Sequence, residues 1–148
     1  MIYKIGDVAY AYVQFLDGGD NRKRIVVILG EEEAAEVEEY ENNLTYEAFN
    51  ITSQEHKNIK ANIPLFKDNV NNLNSDSYVK MDRIYEIDNR CIIKKFGALS
   101  EDDRQRLLIE KEYFRAKGKQ ERQPLEKNLE SLKYHRRLEY LSHSSERE

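Results

Sequence analysis

Lys23-Arg-Ile-Val-Val-Ile-Leu-Gly30 is the stretch that decides the fold. From Arg24 to Leu29 it is almost wholly aliphatic and β-branched. Such a run lacks the polar alternation of a strand with one wet face, so it predicts a central strand buried on both sides and ended by Gly30. On its N-terminal side, Gly6-Asp7 is a turn signal. Val8 to Phe15, rich in aromatic and branched residues, predicts a partner strand. Asp17-Gly-Gly-Asp-Asn21 then connects the two as a mobile loop or hairpin.

Further along, Tyr46 to Thr52 predicts another strand. Glu31 to Asn43 lacks a good N-cap and reads as a loop with one or two helical turns. Asn58 to Ser75 is rich in Asn and holds Pro64, which predicts mainly loop with one short strand. Tyr78–Met81 and Ile84–Ile87 read as two short strands near a corner, and Cys91–Ile93 as another. The regime changes at Leu99. Ser100-Glu-Asp-Asp103 resembles a capping box, with Asp where Glu or Gln is commoner, and opens a helix ending near Gly118. Lys119 to Gln123 reads as a polar link. Pro124 is placed to open a second helix with Leu125, Leu129 and Leu132 on one stripe. Strands first and helices after predict a small, strongly curved β-barrel with C-terminal helices. The division is 1–117 for the barrel with its terminal helix and 118–148 for a helical extension.

Composition narrows the class. The chain has 148 residues, a length for one domain with a modest core. Ten Tyr and five Phe without any Trp suit small barrels and wet interfaces. No apolar run approaches the roughly 20 residues of a membrane helix, and the N-terminus lacks a signal-peptide pattern. Cys91 is the only cysteine, so no internal disulfide can form, and the cytoplasm is the expected compartment. The net charge of −4 conceals an asymmetry: residues 31–50 hold eight acids and no bases, so the remainder is net positive. The acidic total is therefore weak evidence against binding nucleic acid.

Arg24 and Thr52 stand at the edges of two predicted core strands, with no metal ligands nearby in sequence. RNA can be cut by its own 2′-hydroxyl attacking the adjacent phosphate. Negative charge then gathers on phosphate oxygens. A guanidinium binds such oxygens bidentately, and a hydroxyl adds a further bond. Arg is almost impossible to deprotonate, so Arg24 suits charge stabilisation and proton donation to the leaving oxygen rather than the work of a base. The plain alternatives stand beside this reading. Arg24 also fits a surface Arg at a strand edge, and Thr52-Ser53 fits a strand end bonding its own backbone. His56 fits either a solvated loop residue or a general acid–base. Cys91 reads as a small core residue.

Four segments, in order, resemble the MazF/PemK family of toxin endoribonucleases. They are Gly6-Asp7-Val-Ala-Tyr10, Lys23-Arg24-Ile-Val-Val-Ile-Leu29, Ile51-Thr52-Ser53, and Ser77-Tyr-Val-Lys-Met-Asp82 with Lys94-Lys-Phe-Gly-Ala-Leu-Ser100. The match covers about the first 115 residues; Ile25 stands where the family usually has Pro. The resemblance implies an SH3-like barrel of the PemK/CcdB type that dimerises, cuts single-stranded RNA without metal or cofactor, and is inhibited by a cognate antitoxin. It implies Arg24 and Thr52 as catalytic residues. Arg22, Lys23, Ser53 and His56 are the expected RNA-binding residues. The alternative is a non-catalytic module on the same barrel, acting on a protein target or holding RNA without cutting it. The apolar stripe of the extension is expected to enlarge an interface.

Overall fold

Val26, Val27, Ile28 and Leu29 are all buried. Successive side chains of a strand point to opposite faces, and the two faces here meet different cores. Val27 and Leu29 join one apolar cluster, and Val26 and Ile28 join another. This is why the run carries no polar alternation. The computed structural model describes residues 2–13, 22–32, 45–53 and 62–123. The aliphatic run lies inside strand β2 (Arg22–Glu32), which pairs antiparallel with β1 (Asp7–Val13) on one side and β3 (Thr45–Thr52) on the other. The central, doubly covered strand expected from the sequence is present. The Asp17–Asn21 loop and the Glu31–Asn43 turns fall mostly or wholly outside the described residues.

The remaining strands are β4 (Asn62–Leu65), β5 (Ser77–Asp88), β6 (Ile92–Ala98) and β7 (Glu121–Gln123). The sheet order is β4-β5-β3-β2-β1-β6, with β7 parallel to the free stretch of β5. The helix α1 (Glu101–Ala116) covers one face, sending Leu107 and Phe114 into the cluster of Val27, Phe49 and Met81. Seven residues apart, these two side chains fall on one helical stripe. The other face is closed around Tyr46, Ile87, Cys91 and the N-terminal Tyr3. Cys91 is a buried core residue, as its sequence context suggests.

Three sequence expectations need correction. Gly30 does not end β2; the strand runs to Glu32, and the ladder with β3 slips between Ile28 and Gly30. Gly30 has φ +155°, so it serves as a bulge residue within a continuing strand. The two short strands at 78–81 and 84–87 are one twelve-residue strand. The corner is real but lies inside it. Ala48 pairs with Tyr85 and Asn50 with Lys80, so Phe49 alone faces residues 81–84. This offset flips the side-chain alternation: Val79 and Met81 face the helix-covered core, whereas Tyr85 and Ile87 face the opposite one. Finally, the polar link after α1 contains β7. Its Arg122 bonds Glu86 at 3.0 Å and also Glu47, and Gln123 is fully buried.

The helix start is as read. Ser100 Oγ accepts from the Asp103 N–H at 3.2 Å. The reciprocal half of a capping box is absent, because Asp103 gives its carboxylate to Arg106 at 3.3 Å. At the other end Gly118 takes φ +65° and the Lys119 N–H reaches back to the Phe114 carbonyl at 3.1 Å.

The edges β4 and β6 share no ladder among the described residues. They are bridged by the loop after β4. Ala98 N–H donates to the Val70 carbonyl at 3.0 Å, and Asn72 Nδ2 donates to the Phe96 carbonyl at 2.8 Å. Asn71, fully buried, organises that loop: its Oδ1 accepts from Leu73 N–H at 3.0 Å and its Nδ2 donates to the Phe66 carbonyl at 2.8 Å. No helix among the described residues is long and apolar enough to cross a membrane.

Candidate nucleic-acid interface

Arg24 and Thr52 are far apart in sequence, and β2–β3 pairing brings them together. Ile25 pairs with Ile51 and Val26 with Asn50. Arg24 and Thr52 each lie one residue beyond the Ile25–Ile51 rung, on the same face. Both side chains are half-buried. On the flanks, Ala11 of β1 pairs with Arg24 and Tyr78 of β5 pairs with Thr52. Pro64 of β4 follows beyond Tyr78. One row therefore crosses the sheet as Ala11, Arg24, Thr52, Tyr78 and Pro64.

Two residues along each strand, a second row repeats on the same face: Val26, Asn50, Lys80 and Asn62. The row between them, Ile25, Ile51, Val79 and Ile63, points to the other side and packs into the helix-covered core. Together the two polar rows carry two cations, Arg24 and Lys80, and no carboxylate. That balance favours a polyanion over this face. Asn50 is the buried member: it is 5% exposed, and its Oδ1 accepts no hydrogen bond among the described residues. A buried acceptor left without a donor costs about 1–3 kcal/mol.

Alternation separates residues that the sequence groups together. Lys23 precedes Arg24 and points to the opposite face, where its Nζ sits 4.7 Å from the Tyr10 ring centroid. Tyr10 in turn stacks on Phe96, with centroids 4.5 Å apart. Ser53 is exposed in the bend that follows β3. Arg22 begins β2, paired with Val13 through the backbone. His56 lies outside the described residues. So Arg24 and Thr52 share one face, and Lys23 is turned away from it.

Sequence reading missed Asn50, Tyr78, Lys80 and Asn62. Asn50 was within reach, because it stands two residues before Thr52 on the same strand. Tyr78, Lys80 and Asn62 needed the β3–β5 and β5–β4 registers, which no local pattern encodes. Among the described residues no group of three or more His, Cys, Asp or Glu is clustered as a metal site.

The family model of the PemK-like, MazF-like toxin of type II toxin–antitoxin systems matches residues 4–110. The chain belongs to this family. The matched region contains the strands β1 to β6, and so both polar rows of the sheet. Among solved structures, the Mycobacterium tuberculosis toxin MazF-mt6 is similar to this PemK-like chain. Its identity is 23%, its TM-score is 0.47, and the match covers 71% of this chain and 90% of that one. No curated protein sequence matches the chain.

Proposed function

We propose that this PemK-like toxin is an endoribonuclease that cuts single-stranded RNA without a metal, and that the Arg24–Thr52 pair does the chemistry. The observation that supports this reading most is the register that carries Arg24 and Thr52 to one sheet face, each one residue beyond the Ile25–Ile51 rung. The substrate's own 2′-hydroxyl is the nucleophile. It forms a bond to phosphorus and gives its proton to solvent water as the bond to the 5′-oxygen of the next nucleotide breaks; that departing oxygen takes a proton from the Arg24 guanidinium, which water then restores. The products are a 2′,3′-cyclic phosphate and a free 5′-hydroxyl. Arg24 binds the non-bridging oxygens as charge builds and stands close to the departing oxygen. Thr52 Oγ1 donates a hydrogen bond to the same phosphate. Lys80, in the next row, holds a neighbouring phosphate of the strand.

The wider reading follows family membership. The protein works in the cytoplasm as a homodimer and is inhibited by a cognate antitoxin. Its sheet is an SH3-like barrel whose seam is the 66–76 loop, because that loop ties the β4 side to β6. Residues 1–117 form this unit, and the extension from 118 is stitched to it by β7.

The test is incubation of wild type and Arg24→Ala with a long single-stranded RNA in EDTA. Fragments ending in 2′,3′-cyclic phosphate, absent with the variant, are the expected result. RNA left intact by the wild type would overturn the nuclease reading and favour a non-catalytic binding module.

A further inference from the structure

Asn50 is chemically out of place as a core residue. Val26 flanks it on β2, and Ala48 precedes it on the same face of its own strand; both belong to the apolar cluster. An aliphatic side chain at position 50 would continue that cluster. Instead the position holds an amide whose Oδ1 is buried and accepts no hydrogen bond among the described residues. On its other flank stands Lys80, half-buried, and one step along the strand on the same face stands Thr52.

We propose that Asn50 reads a nucleobase beside the phosphate held by Arg24 and Thr52, and that the base is adenine. This inference rests on the RNA-cutting role proposed above. An Asn side chain offers an acceptor and a donor side by side. Adenine presents the complement, the N6 amine as donor and N7 as acceptor, and the pair forms two hydrogen bonds. Single-stranded RNA can splay a base and turn that edge toward a protein surface. The amide faces the same side as Arg24 and Thr52, two residues along the strand, which suits a base adjoining the bound phosphate. The acceptor is then satisfied by substrate.

The experiment compares wild type with Asn50→Leu and Asn50→Asp. Binding of fluorescent single-stranded oligonucleotides, differing only by adenine or uracil at one position, is read by anisotropy. Cleavage of a mixed-sequence RNA is mapped in parallel, and melting temperature reports the fold. Wild type should prefer the adenine strand by about tenfold, and its cuts should cluster beside adenine. Asn50→Leu should lose the preference while melting at or above the wild-type temperature, because an apolar side chain replaces an unpartnered acceptor. Should the leucine variant fail to fold, Asn50→Asp carries the test. It keeps the size and removes the donor, so the preference should also collapse. Cleavage without any adenine preference, or a preference that survives both substitutions, overturns the inference and leaves the nuclease reading intact. An adenine preference in binding without cleavage of any RNA would support the base site and overturn the nuclease.

Discussion

Arg24 on β2 and Thr52 on β3 each stand one residue beyond the Ile25–Ile51 rung of an antiparallel ladder, on the side of the sheet away from α1. Strand pairing at Ile25–Ile51 carries both backbones to the same end of the ladder. Under the proposed chemistry, Thr52→Val should lower the cleavage rate by about a hundredfold in protein that still folds, the usual loss for one donor at a developing oxyanion. Arg24→Lys should also fail to restore activity, because an ammonium lacks the planar fork that grips two phosphate oxygens. Single-turnover cleavage with circular dichroism on the same samples checks both.

Gly97 tests the seam. A Cβ built there would lie 2.1 Å from the Asn71 carbonyl oxygen and 2.5 Å from its carbon. Both are backbone atoms of the loop that bridges the sheet edges, so no side chain can swing clear. Gly97→Ala should destabilise by about 1–3 kcal/mol, as overpacking does. A thermal melt several degrees below wild type is expected. An unchanged melt would show that the loop and β6 separate readily.

Arg122 tests the strand after the helix. Glu47 and Glu86 are cross-strand partners on β3 and β5, a like-charge pairing that is unfavourable alone. Arg122 bonds both. All three side chains keep some exposure, so screening limits the effect to about 1 kcal/mol. Arg122→Ala should lower the urea midpoint, and adding Glu47→Gln to that variant should recover part of the loss. A second substitution that lowers the midpoint further would refute the charge-neutralising role.

Tyr3 tests the N-terminal lid of the second core. Its backbone N–H donates to Tyr46 Oη at 3.0 Å, and the rings meet edge to face with centroids 5.4 Å apart. Burial first, then the neighbouring Tyr46 and Asp7, raise the Tyr3 phenol above its ordinary value of 10.0. The neutral form is thus favoured by folding. Its contribution is complete below the unfolded pKa and is lost as pH rises through the higher folded one. Urea midpoints should fall on the alkaline side of about pH 10. Tyr3→Phe, which keeps the ring and removes the titrating hydroxyl, should make that fall shallower.

Leu107 tests the helix. It is 2% exposed and packs with Phe114 into the larger core. Leu107→Ala should cost about 2–5 kcal/mol. Ile109, on the open side of α1 at 69% exposure, should tolerate the same change within about 0.5 kcal/mol. Denaturant unfolding of the two variants gives both values.

Sequence alone determined the features set by neighbouring residues. The aliphatic run 24–29 had to be a central strand, because only burial on both faces accounts for an absence of polar alternation. Ser100 had to start a helix, and Gly118 had to stop it, because caps are local hydrogen bonds and local dihedrals. The family was legible from the order of four short motifs. Arg24 and Thr52 could be singled out, since each sits at the edge of such a strand. Tertiary structure alone decided what lies across from what. Register put Thr52 and Arg24 on one face and added Asn50, Tyr78, Lys80 and Asn62 to it, while alternation turned Lys23 away. The offset at Phe49 joined two apparent strands into one bent strand, and Arg122 found its carboxylates on strands distant in sequence. The physical reason is that strand pairing satisfies backbone hydrogen bonds between segments of any separation. Which rung meets which is set by the joint burial of all the side chains on both faces, so it cannot be read from either segment by itself.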